Sequence, residues 1–129
     1  MLVALSRAGW GSRVAPAQAT QSGSAAGGTM VVCKSYWQLC SAVGEAGRVV
    51  EMSAGSRWVL EHLRLHRVTV ILGPVYLVTG IGPAGESLHA LCRLGEQLVA
   101  AGLPFLLGGG WNMSPEQLRS PGWLKRLGG

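Results

Sequence analysis

Two short apolar runs, residues 75–78 and 105–107, flank a single amphipathic stretch at residues 86–101. Leu88, Leu91, Cys92, Leu98 and Val99 recur there at helical spacing, with Gly95 between them permitting close packing. Gly102 supplies a helix terminator, and Pro104 follows it. Strand, helix and strand in that order make a crossover unit, the connection that parallel strands require. The expected fold class is therefore α/β.

The second run leads into Pro104-Phe105-Leu106-Leu107-Gly108-Gly109-Gly110-Trp111-Asn112. Its apolar part reads as a buried strand, and the glycines let its end turn sharply and bring Trp111 and Asn112 onto a rim. Functional side chains concentrate on such rims. Ser114, Pro115 and Gln117 then form a helix start: an N-cap, a proline at the first helical position and a capping-box partner. Met113 and Leu118 can close a hydrophobic staple across it. No acid precedes Glu116 in this stretch.

Elsewhere the signals are shorter. Residues 2–5 suit a helix or strand end, residues 8–11 a turn carrying Trp10, and residues 15–28 a loop of small and polar residues. Residues 29–33 read as a strand, residues 36–43 fit either strand or helix, and residues 49–52 suggest another strand. Residues 58–65 and 68–72 form paired strands turning at His66 and Arg67. Gly73-Pro74 breaks the run, as a bulge would, before the strand at 75–78.

With 129 residues, 48% hydrophobic and 13% charged, the chain has the length and composition of one ordered domain. Eleven Lys and Arg face six acids, all Glu, so any mechanism needing an Asp is excluded. Cys33, Cys40 and Cys92 show no C-x-x-C spacing, which argues against a disulfide framework and fits an intracellular, reducing compartment. Residues 1–29 carry Arg7 and Arg13 without an acid, the composition of an organellar presequence. No apolar run reaches the ~20 residues of a membrane span.

Three motifs invite chemistry. Gly80, Gly82 and Gly85 match the dinucleotide pattern G-x-G-x-x-G between a strand and a helix, but the acid that should follow about 20 residues later is missing, and Pro83 removes one N–H. His62 and His66 would stand at zinc spacing on a helix; as strand residues they merely share a face with Arg64, and no third ligand lies nearby. Arg57, Arg64 and Arg67 suggest a basic side for nucleic acid or phosphate, or simply a solvated face. His89 falls beside the apolar face of the crossover helix, a boundary position. Serine-hydrolase chemistry finds no G-x-S-x-G elbow and no Asp. The five Trp are scattered, as core or partly buried anchors would be.

Taken together, GW at 10, PA at 16, SAAGGTMVV at 24–32, VYLVTG at 75–80, PFLLGGGWNMSPEQL from 104 and GWL at 122 resemble the interior of the endonuclease/exonuclease/phosphatase superfamily, with its DNase I-like fold. The likeness runs from about residue 5 to residue 125. Its most specific part is the family's G-D-x-N after a hydrophobic strand, here Gly109-Gly110-Trp111-Asn112, and Tyr76 matches a tyrosine on the strand before the crossover.

The resemblance implies a DNase I-like α/β sandwich, here partial, that cleaves phosphoesters, including nucleic acid, with magnesium. In the family a glutamate binds the metal, the elbow Asp handles the attacking water, the Asn holds a phosphate oxygen and a terminal Asp–His pair completes the site. Asn112 and Tyr76 are the residues that carry over, and Gly110 stands at the lost Asp position. The metal Glu would fall before Met1 and the Asp–His pair after Gly129, so the expectation is one partial domain over residues 1–129 with both catalytic ends missing. A truncated, degenerate phosphodiesterase, incompetent as this chain, is the resulting functional expectation.

Overall fold

The computed structural model describes residues 2–19, 23, 25–26, 28–41, 50–53 and 56–128. In chain order the elements are α1 (Leu2–Arg7), β1 (Trp10–Ala15), β2 (Gln18–Ala19), β3 (Ala25–Ala26), β4 (Thr29–Lys34), β5 (Gln38–Ser41), β6 (Val50–Ser53), β7 (Ser56–Val59), β8 (Glu61–Arg64), β9 (Thr69–Tyr76), α2 (Gly85–Ala101), β10 (Phe105–Gly110), α3 (Pro115–Arg119) and α4 (Trp123–Arg126).

Centrally, β7 and β8 both pair antiparallel with β9, in one unbroken register that sets Arg57 opposite Tyr76 and Arg64 opposite Thr69. The bulge expected at Gly73-Pro74 is absent. The pairing lapses between these two segments, where Val59 and Leu60 stand opposite Pro74, which has no N–H to donate, and Gly73. Gly73 is needed there, because a Cβ would stand 2.5 Å from Leu107 Cδ2 and 2.8 Å from Leu60 Cδ2. On the outer side of this hairpin β5 pairs with β8 and β6 with β7, which makes residues 36–41 of the ambiguous 36–43 segment turn and strand, residues 42–43 lying outside the described residues. Beyond β9, β10 pairs in parallel, as the crossover predicts. The outcome is the α/β fold that the sequence leads one to expect.

Two layers cover this sheet. On one face Trp58, Leu60, Ile71 and Val75 meet Ala90, Leu91, Leu94 and Leu98 of α2 and Trp123 of α4 in one apolar cluster. Trp58 Nε1 donates to Gln97 Oε1 at 2.8 Å, which fixes α2 over the hairpin. Against the opposite face packs the antiparallel pair β1–β4. Its Val31 and Cys33 are buried, as are Val59 and Leu63 on the sheet. Covering on both sides explains why residues 56–60 are all buried and why Trp58, Val59 and Leu60 are apolar without alternation.

Four expectations from the sequence are corrected by the structure. Trp10 opens strand β1 rather than sitting in a turn, and residues 15–28 include β2 and β3: small, polar residues form strands here because partners supply the hydrogen bonds. The buried face of α2 is Ser87, Ala90, Leu91, Leu94, Gly95 and Leu98, while Leu88 and Val99 are exposed. The helix is rotated because Gly95 admits the Trp123 indole, which comes within 2.8 Å of where a Cβ would lie. Phe105 and Leu106 are not buried; β10 is an edge strand, and Leu106 is 67% exposed.

Candidate functional site

Parallel pairing sets Gly110 directly beside Tyr76 at the ends of β10 and β9. Leu77 N–H donates to the Gly110 carbonyl at 2.9 Å, and the Asn112 side-chain amide donates to the Leu77 carbonyl at 2.5 Å. The same backbone unit thus holds both the last residue of the strand and the residue after its turn. The turn itself lies at Asn112, whose φ of +53° is left-handed, a region Asn tolerates better than most residues. Gly108 and Gly110 instead continue the strand, and Gly109, with φ +138°, is required because a Cβ would collide with the Val75 carbonyl. The elbow expected in the glycines is therefore displaced to Asn112.

A Cβ built on Gly110 would lie 3.2 Å from Tyr76 Cδ2 and 3.7 Å from Asn112 Nδ2. Tyr76 from β9 meets Gly110 and Asn112, more than thirty residues later in the sequence, at one point, and the central position has no side chain. Strand alternation places Arg57, the register partner of Tyr76, on the same face; it is 3% exposed. Sequence reasoning had grouped Arg57 with Arg64 and Arg67. The structure separates them: Arg57 is buried near the elbow end of the hairpin, and Arg64 and Arg67 are exposed at the other.

Behind the elbow, Trp111 stacks obliquely on Trp123, their ring centroids 6.0 Å apart. Trp123 Nε1 donates to the Leu91 carbonyl at 2.6 Å, so the elbow rests on α2 through two indoles. After it, the expected capping box is present: Ser114 Oγ accepts from Gln117 N–H at 3.2 Å, and Gln117 Oε1 accepts from Ser114 N–H at 2.8 Å. Met113 and Leu118 both pack against the core cluster. Glu116, the first acid after the elbow, is occupied at this helix start. Its own backbone N–H, then the Ser114 hydroxyl, and more weakly Arg119, hold its carboxyl below the usual value.

Magnesium prefers carboxylate oxygens. Tyr76, Gly110 and Asn112 offer none, and among the described residues no three His, Cys, Asp or Glu side chains gather into a metal site. This donor set does not fit the ion. His62 lies in strand β8 and His66 in the bend beyond it, so neither is helical and the helical zinc spacing does not form. At the glycine loop, Gly82 packs against the Gln117 side chain, whose Nε2 would lie 3.3 Å from a Cβ at that position, and Glu86 places negative charge in the first turn of α2, where a pyrophosphate would be repelled. Among the described residues no helix is long and apolar enough to cross a membrane.

The sequence matches no protein-family model and no curated protein. The fold is similar to that of the human Nocturnin catalytic domain, solved with a bound sulfate anion: TM-score 0.58 at 14% identity, over 88% of this chain and 46% of that one. That domain has an endonuclease/exonuclease/phosphatase-type fold, and the chain spans less than half of its length.

Proposed function

We propose that the chain carries the phosphoester-binding rim of a metal-dependent phosphodiesterase in which glycine occupies the central carboxylate position, so that it binds nucleic acid or another phosphoester without cleaving it. The observation that carries this reading is the convergence of Tyr76 and Asn112 on the missing side chain of Gly110. Tyr76 supplies a hydroxyl, and Asn112, with one amide hydrogen held by Leu77, supplies a second N–H for a phosphate oxygen. Neither supplies the carboxylate that would hold a hard cation or take a proton from water. Losing such a group costs about 10²- to 10⁴-fold in rate. The sulfate bound by the Nocturnin catalytic domain is a tetrahedral oxyanion, the shape of the phosphorus centre this rim would meet.

The test is cleavage of a nicked or abasic duplex with magnesium, by the unmodified chain and by Gly110→Asp. The expected result is no magnesium-dependent cleavage by the unmodified chain; Gly110→Asp, whose Cβ requires the Tyr76 ring to yield only a few tenths of an ångström, measures what the restored carboxylate alone contributes. Robust magnesium-dependent cleavage by the unmodified chain would overturn the reading.

A further inference from the structure

At the end of the sandwich remote from the elbow, separate parts of the chain bring aromatic rings and cations together. The turn Ser35 to Trp37 crosses from β4 in one sheet to β5 in the other, and Gln38, the next residue, is the register partner of Arg64. Tyr36 is 73% exposed and Trp37 44% exposed, their rings edge to face at 5.7 Å. Arg64, His66 and Arg67 are exposed on and beside the adjoining hairpin tip. From the other sheet Lys34 Nζ sits 4.1 Å above the Trp10 ring, and Ser35 N–H donates to the Gly9 carbonyl at 2.9 Å, which brings the end of α1 and its exposed Arg7 alongside. No acid occurs in the sequence before residue 45 or between residues 62 and 85.

We infer that this end of the molecule is a binding surface for single-stranded nucleic acid, independent of the Tyr76–Asn112 rim. Exposed aromatic faces stack on unpaired bases of any sequence, and cations spaced around them follow the phosphates. The eight residues of β9, Thr69 to Tyr76, run from the surface to the rim over about 23 Å, so the surface needs nothing from the elbow. A lipid surface fits less well. Insertion calls for a broad aliphatic face, and among the described residues at this end Val68 is the exposed large aliphatic one; Ile81, Leu88, Val99 and Leu106 are exposed elsewhere.

The experiment titrates the full chain into fluorescein-labelled oligothymidylate of twelve nucleotides, reading anisotropy over a range of KCl concentrations. Trp37→Ala or Tyr36→Ala weakens binding by about 5- to 150-fold, the loss of one stacked base. Arg67→Ala reduces the slope of log affinity against log salt by about 0.7. Arg126→Ala removes an equal charge from α4 and changes affinity less than about twofold. Circular dichroism checks folding, and the high exposure of Tyr36 makes its truncation the safer variant. Undetectable oligonucleotide binding, or an unchanged affinity in folded Tyr36→Ala, overturns the inference. So does aromatic-dependent binding to phosphatidylserine vesicles in a chain that ignores the oligonucleotide. Activity of Gly110→Asp bears on neither outcome.

Discussion

Replacing Gly95 by Ala sets two effects of opposite sign against each other. In an exposed helix the change would stabilise by about 1 kcal/mol, because glycine loses more backbone freedom on folding. Here the new methyl would lie 2.8 Å from Trp123 Nε1 and 3.5 Å from Cδ1. That indole is 4% exposed, donates to the Leu91 carbonyl at 2.6 Å and supports Trp111 behind the elbow, so it has little room to retreat. Overpacking of this kind costs about 1–3 kcal/mol, and loss of the indole hydrogen bond adds about 0.5–1.5 kcal/mol. The expected net effect is a destabilisation of about 1–3 kcal/mol, or a fall of about 4–12 °C in Tm at ~4 °C per kcal/mol. Urea and thermal unfolding followed by circular dichroism and tryptophan fluorescence measure it. A double-mutant cycle with Trp123→Phe, which removes the colliding nitrogen, should return coupling above about 0.5 kcal/mol. A neutral or stabilising Gly95→Ala, or additive changes, would refute the packing of α4 on α2 and the support it gives to Asn112.

The neighbouring glycines of β10 divide sharply. Gly109→Ala should destabilise by several kcal/mol or prevent folding, since its φ is +138° and a Cβ would meet the Val75 carbonyl, whereas Gly108→Ala has no neighbour within 4 Å and should stay within about 0.5 kcal/mol of the parent; equal effects in urea unfolding would contradict this register. Glu116 gives the pH dependence. Its folded pKa lies below the ordinary 4.5, so its contribution to stability is present above that value and is lost as pH falls through the folded value. The difference in Tm between the parent and Glu116→Gln should shrink on acidification from pH 6 to pH 3, and a difference that grows would show the sign to be wrong.

Much of the elbow is local physics and could be read directly. A serine, a proline and a glutamine at the right offsets specify the capping box before any partner is known, because each bond closes within one turn. Gly102 likewise ends α2 with φ +60° and its N–H on the Leu98 carbonyl. Strand order was partly legible too, since an amphipathic helix between two apolar runs leaves a parallel pairing as the economical connection. What could not be read was burial. Leu106 and Leu107 look alike in sequence, but β10 is the edge of its sheet, and only its neighbours show that Leu106 faces solvent.

By itself, then, the sequence determined the crossover unit, the helix caps and the chemical character of the elbow, including the lack of an Asp anywhere in the chain. These depend on residue type and on bonds that span a few positions. Tertiary structure decided which residues share a place. It set Tyr76 beside Gly110 and bent the chain at Asn112 instead of at the glycines. It also divided three arginines between opposite ends of one hairpin, with Arg57 buried near the rim and Arg64 and Arg67 beside the Tyr36–Trp37 turn. Register is a property of pairs of strands, and a strand does not encode its partner's alignment in its own residues.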